Sequence, residues 1–182
     1  MMSNIPELPD VNVLFAAHNT DHEDHAVALR WLDETVAIAV TPITLNGLVR
    51  LLLNPVATPN RVSAAEAFSA IDSLRAAPRV TFWPDDIVPG SLGRFSYAVT
   101  GHRQVTDLYL LELAASRGGR LVTLDRKIKA ALKQADRRFL HLLGAGQVEP
   151  IVSPGSTTGL QPPPSGFRLP PGRSGDFAPD DG

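Results

Sequence analysis

A parallel α/β sheet of four to five strands, covered by helices on both faces, is the fold this sequence predicts. Three observations carry it. Val36-Ala37-Ile38-Ala39-Val40 and Leu121-Val122-Thr123-Leu124 are short runs without the polar alternation of a half-solvated strand. Amphipathic stretches lie between such runs, the pattern of strand–helix–strand units. At 182 residues and 43% hydrophobic composition, the chain builds one cored domain and is short for two.

Composition narrows the function classes. A net charge of −2 gives no bulk attraction for a polyanion, so a nucleic-acid partner has to be held by a local basic patch or through metal ions. The chain has no cysteine, which removes disulfides, thiolate nucleophiles and Cys-based zinc sites together. No apolar run approaches the ~20 residues that span a bilayer, and no signal-peptide pattern opens the chain. The expectation is a cytoplasmic protein with no membrane partner, with secretion left open.

In chain order, Glu7-Leu8-Pro9-Asp10 is a short extended piece. Val11–Ala17 reads as a strand by propensity, and the placement of Asp10 before or after a strand stays open on local pattern alone. Asp21, with Asp24 three residues on, reads as the N-cap of a helix carrying His25, Ala28, Leu29 and Leu32 on one stripe. The strand Val36–Val40 ends at Thr41-Pro42. Thr44 then caps a helix through Leu48, Val49, Leu51 and Leu52, stopped at Asn54-Pro55. Ser63 leads into a third helix with Ala64, Ala67, Phe68, Ile71 and Leu74 on one side. Val80-Thr81-Phe82-Trp83 reads as a strand, with Asp85 and Asp86 in the turn after it. Residues 126–143 form a basic amphipathic helix (Lys127, Lys129, Lys133, Arg137, Arg138), and Val148–Val152 an edge strand containing Pro150. The domain is read as 1–152. Seven of the 16 prolines fall in 153–182, which reads as a disordered tail.

Residues 100–125 organise the rest. A polar loop containing His102 and Arg103 runs into an almost wholly apolar helix, then a Gly118-Gly119 stop, then a short strand ending in Asp125. Asp107 lies in the first turn of that helix, where the helix dipole favours a carboxylate. In parallel sheets, sites form outside the carboxyl ends of the strands, and Asp107 and Asp125 both belong to that edge. Asp10 joins them if the piece before it is the first strand. Three carboxylates brought together repel one another and call for a cation or for protons. Mg²⁺ or Mn²⁺ suits such an oxygen donor set, and metal-assisted phosphodiester hydrolysis is the chemistry it suggests. The residues alone also allow a blander reading, in which these are the helix caps and turn aspartates common in α/β folds.

A resemblance adds to this. Gly101–Ala114 followed by Gly119–Asp125 closely resembles PIN-domain ribonuclease toxins of the VapC type. Leu8-Pro9-Asp10-Val11-Asn12-Val13-Leu14 looks like their opening Asp-x-Asn-x-Leu signature, and 41–50 and 82–86 match internal segments. The resemblance implies a PIN-like fold with Asp10 ending the first strand and Val11–Ala17 helical. It implies an endoribonuclease, the toxin of a toxin–antitoxin pair, whose Mg²⁺ or Mn²⁺ site is built by Asp10, Asp107 and Asp125. It also implies RNA as substrate, an antitoxin as partner and a homodimer.

One position departs from the pattern. The family usually carries a second acidic ligand in the Thr-Glu-Asn-Gly segment, where this chain has Leu45. Thr44 or Asn46 offers only a neutral oxygen there. The alternative function is therefore a catalytically weakened PIN domain acting as an RNA- or antitoxin-binding module. Around the acids, Asn12 is close enough to orient Asp10; Arg50 and the basic helix read either as a local positive patch or as an ordinary solvated face, and His102 and Arg103 either as holders of a scissile phosphate or as a solvated loop. His18, His22 and His25 read as residues lining and capping the first helix rather than as a zinc site. Trp31 and Trp83 read as core, and no interleaving of aromatics with bases is evident in the sequence.

Overall fold

The structure is a computed structural model and describes residues 5–88 and 93–144. Five strands, β1 (Glu7–Pro9), β2 (Ile38–Val40), β3 (Val80–Phe82), β4 (Arg120–Thr123) and β5 (Leu140–Leu142), form one sheet in the order β3-β2-β1-β4-β5. Every pairing is parallel. The helices are α1 (Val11–His18), α2 (His25–Glu34), α3 (Pro42–Leu52), α4 (Ala64–Ala76), α5 (Val105–Ser116) and α6 (Arg126–Ala131).

Strand alternation divides the core into two layers. Leu8, Ala39 and Leu121 pack with α5 and α6 through Leu108, Leu111 and Ile128. Ile38, Val40 and Val122 pack with α1, α3 and α4 through Leu14, Leu48, Ala67 and Leu74. Helices therefore cover both faces, as the unbroken apolar strands require. Trp31 and Trp83 are both buried.

The edge opposite the carboxyl ends is pinned by Glu7 at the start of β1. Its carboxylate accepts from Trp31 Nε1 of α2 at 2.6 Å and pairs with His141 Nδ1 of β5 at 2.8 Å. Burial raises the Glu7 pKa, but these hydrogen bonds and the charges of His141 and Arg120 outweigh it, so the group sits below its ordinary value. One residue thus ties the central strand, a covering helix and the edge strand.

Several local expectations are corrected. Val11–Ala17 is helical, as the family resemblance implies and against its strand propensity, because Asp10 caps it and its apolar residues bury on a helical face. The second helix begins at His25, not after Asp21. Asp21 instead lies in a turn where its N–H donates to Asn19 Oδ1. Thr41, not Thr44, caps α3. Thr44 is the reciprocal member of that capping box, and Pro42 takes the first turn. Phe68, expected inside, is 57% exposed, while Ala67, Ala70 and Leu74 make the buried stripe of α4. The basic helix ends at Ala131. A 3-10 turn over Gln134–Phe139 then leads into β5, because the open edge of β4 pairs with Leu140–Leu142. The edge strand expected at 148–152 and the tail 153–182 lie outside the described residues. Among the described residues, no helix is long and apolar enough to cross a membrane.

Candidate active site

Asp10 follows β1 directly and caps α1, so the turn from central strand to first helix places it at the carboxyl edge. It is only 4% exposed. Its Oδ1 accepts from the Val13 N–H at 2.8 Å, and its Oδ2 accepts from the Thr123 hydroxyl. Burial pushes its pKa up to about 6, against the pull of those hydrogen bonds, and the negative charge of Asp107 adds to the rise.

Asp107 lies in the first turn of α5. Half-burial and the charge of Asp125 raise its pKa. It accepts no hydrogen bond among the described residues. Asp125 follows β4 and caps α6, its Oδ1 accepting from the Lys127 N–H at 2.8 Å. Electrostatically the three form a chain with Asp107 in the middle, since Asp10 responds to Asp107 and Asp107 to Asp125. The fold does bring together residues far apart in sequence.

Thr123 is the residue the sequence reading missed. Its hydroxyl donates to Asp10 and accepts from the Asp125 N–H at 3.0 Å, joining the ends of β1 and β4 through one buried oxygen. The available signal was a lone hydroxyl in an apolar strand, two residues before an aspartate. Asp85, read from the sequence as a turn residue, follows β3 and has a structural role as well. Its Oδ2 accepts from the Ile43 N–H at 3.0 Å, holding the first turn of α3, and its Oδ1 is buried without a partner among the described residues.

The supporting residues fare unevenly. The Asn12 side chain is exposed, and Asp10 is supported by the Asn12 backbone rather than by its amide side chain. Thr44 is buried with its hydroxyl committed to Thr41, so it has no free oxygen for a metal. Asn46, Arg50 and His102 are exposed. Arg103 lies in the 3-10 turn His102–Gln104 just before α5. Leu45 is 8% exposed and belongs to the same apolar cluster as Val13 and Leu48. Where the family pattern has an acid, this chain has core. The histidines are structural: His18 Nδ1 bonds Leu14 O and His25 Nδ1 bonds Ala16 O, each at 2.8 Å, and His22 Nδ1 accepts from the Asp24 N–H.

The donor set fits a hard divalent cation in kind. It is all oxygen, acidic, and charged against itself. Among the described residues, however, no three His, Cys, Asp or Glu side chains close to the spacing of a shared metal ion. Mg²⁺ commonly takes one or two carboxylates and completes its shell with water and substrate phosphate. Asp107 and Asp125, with oxygens not used by the protein, fit that mode, while both oxygens of Asp10 are already engaged.

Comparison with known proteins identifies the family and the fold. A family model described as PIN domain matches residues 8–133. Ribonuclease VapC39 of Mycobacterium tuberculosis strain H37Rv is 42% identical over 122 residues, covering 65% of this chain and 87% of the relative. Ribonuclease VapC38 of the same strain is 35% identical over 144 residues, covering 75% of this chain and 96% of the relative. In structure, the chain is similar to Mycobacterium tuberculosis VapC20, described as a Sarcin-Ricin loop cleaving toxin. The TM-score is 0.52 at 14% identity, over 69% of this chain and 94% of that one, a likeness of fold. The chain belongs to the PIN-domain family, within the VapC ribonuclease toxins.

Proposed function

We propose that the chain is a divalent-metal-dependent endoribonuclease, the toxin of a toxin–antitoxin pair, acting on single-stranded or loop RNA in the cytoplasm. The observation that carries this reading is the chain of mutually repelling carboxylates Asp10, Asp107 and Asp125 at the carboxyl edge of the sheet. Asp10 and Asp107, lifted by burial and by a neighbouring carboxylate, are costly to a fold that gains nothing from them.

Asp107 and Asp125 are the residues that would hold Mg²⁺ or Mn²⁺. Such an ion, when bound, activates water and neutralises charge developing on a phosphodiester. Asp10 acts from its buried position by fixing the negative potential of the edge, and Thr123 holds it in register with Asp125. Asp107, which accepts no hydrogen bond among the described residues, keeps both carboxylate oxygens for the ion. RNA loops suit the site better than duplex, because single strands can splay their bases onto protein surfaces. A cognate antitoxin protein and a homodimer are the partners this reading carries.

The test is Asp107→Asn. Purified variant should lose RNA cleavage by roughly 100-fold or more, because a neutral amide holds the ion far more weakly than a carboxylate, and its expression should no longer arrest growth. Retention of both sinks the reading.

Leu45 favours a second reading, a weakened PIN domain that binds RNA or antitoxin without efficient cleavage. Calorimetric titration with Mg²⁺ and Mn²⁺ separates the two. Absence of binding at millimolar metal favours the binding module.

A further inference from the structure

Two 3-10 turns far apart in sequence bring aromatic and cationic side chains together on the α5 side of the sheet. The first is Ser96–Ala98, the second Gln134–Phe139. Arg94 and Arg138, both exposed, lay their guanidinium groups over the ring of Phe139 at 4.9 and 4.7 Å from its centroid. Neither is paired with a carboxylate among the described residues. Beside them, Lys133 Nζ lies 4.2 Å over the ring of Tyr97. The Tyr97 hydroxyl is anchored, donating to Asp136 at 2.6 Å and accepting from the Lys133 N–H at 3.1 Å.

The sequence alone showed the bases but not the interleaved rings, since residues 94–97 and 133–139 meet only in the fold. From Arg126 to Phe139 there are six basic residues and one acid, Asp136, in a chain that is net acidic. A guanidinium held over an aromatic ring rather than by a carboxylate keeps its N–H groups free for phosphate. Unpaired cations that are pre-oriented in this way are what a single strand of nucleic acid needs, with bases to stack and phosphates to neutralise.

The Lys133 end of this surface lies within reach of the acidic edge. Asp125 caps α6, whose six residues are followed by Leu132 and Lys133. At 1.5 Å per helical and about 3.5 Å per extended residue, Lys133 is at most roughly 16 Å from Asp125. At ~3.4 Å per stacked nucleotide, that is about five nucleotides.

We propose that Arg94, Tyr97, Lys133, Arg138 and Phe139 form a single-stranded RNA platform that holds the substrate strand as it leaves the acidic edge. The proposal rests on the ribonuclease reading of that edge for its meaning, but its test is binding.

The full chain is titrated, in a chelator, into a fluorescein-labelled 12-nucleotide single-stranded RNA and into a duplex of the same length, over a range of salt. Arg94→Ala/Arg138→Ala should bind the single strand roughly 10- to 100-fold more weakly. Its salt slope should be shallower by roughly 1.4, because two phosphates are no longer neutralised. Arg94→Lys/Arg138→Lys, which keeps charge and loses the flat fork, should keep the slope and lose affinity by roughly 3- to 10-fold. In cleavage assays the alanine pair should raise KM and leave kcat in place.

Unchanged single-strand affinity in both pairs, or equal loss on duplex, overturns the platform. RNA binding unchanged with antitoxin binding abolished would make the surface a protein dock, and also overturns it. Binding by the unaltered chain without cleavage removes only the ribonuclease reading. Cleavage with unaltered binding in the arginine pairs removes only the platform.

Discussion

Replacing Asp10 with asparagine should make the protein more stable at neutral pH while inactivating it. The Asp10 carboxyl is buried and its pKa lies at about 6, against an ordinary value of 3.8. Between those two values the folded state binds more protons than the unfolded one, so stability falls as pH rises through that window. The loss is complete above about 6. A displacement of about 2 units corresponds to about 3 kcal/mol. Asparagine keeps the shape and remains a good N-cap for α1, with its Oδ1 accepting from Val13 N–H. Its amide N–H₂ faces the Thr123 hydroxyl, which can turn to accept.

The expected gain at pH 8 is therefore about 1–3 kcal/mol, or about 2–4 °C in Tm per kcal/mol for a chain of this size. The advantage should shrink as pH falls and vanish near pH 4. Thermal unfolding by circular dichroism, from pH 4 to 8 with a chelator present, measures it. A Mg²⁺ or Mn²⁺ series should raise the Tm of the unaltered chain more than that of the variant. A variant less stable than the unaltered chain at pH 8, or a difference flat across pH, would refute the electrostatic account of the site.

Two further outcomes follow from the same geometry. Thr123→Val removes the donor to Asp10 and the acceptor of the Asp125 N–H, so it should cost about 1–3 kcal/mol and depress cleavage. Thr123→Ser, which keeps the hydroxyl, should restore most of both in melts and cleavage assays. Gly47→Ala would place a Cβ 2.5 Å from Val11 Cγ2, immediately after Asp10. The ~1 kcal/mol of helix propensity gained offsets part of the clash, so activity should fall more than Tm; full activity would show that the α1–α3 contact does not position Asp10.

Where one residue type decides a local structure, the sequence was readable. The apolar runs at 36–40 and 121–124 hold the buried parallel strands Ile38–Val40 and Arg120–Thr123, although Val36 is 45% exposed ahead of its strand, and Gly118 ends α5 at φ 69°, as a Gly-Gly stop implies. Asp107 and Asp125 were placed on the carboxyl edge from helix and strand signals alone. Where two principles compete, it was not. Val11–Ala17 has strand propensity, yet the cap supplied by Asp10 and burial on α1 prevail. Lys133–Leu142 carries helical periodicity, yet the free edge of β4 captures Leu140–Leu142. Thr123 and the arginine–aromatic surface depend on contacts between segments, which no local window contains.

Leu45 ties stability and chemistry together. An acid there would sit 8% exposed among Val13, Leu14 and Leu48, close behind the helix that Asp10 caps. Such a carboxylate is ionised only at a steep cost unless a cation partners it. Leucine instead contributes about 1.5–3 kcal/mol of apolar burial and leaves one negative charge fewer to be balanced. Leu45→Glu should therefore lower stability in chelator by about 3 kcal/mol or more, from the missing apolar burial and the buried acid. It should regain part of that when Mn²⁺ or Mg²⁺ is added, and cleave RNA faster than the unaltered chain. Melts with and without metal, beside cleavage rates, report each effect separately. A destabilised variant that no cation rescues would mean that position 45 does not face the acidic edge, and that the natural leucine costs the site nothing.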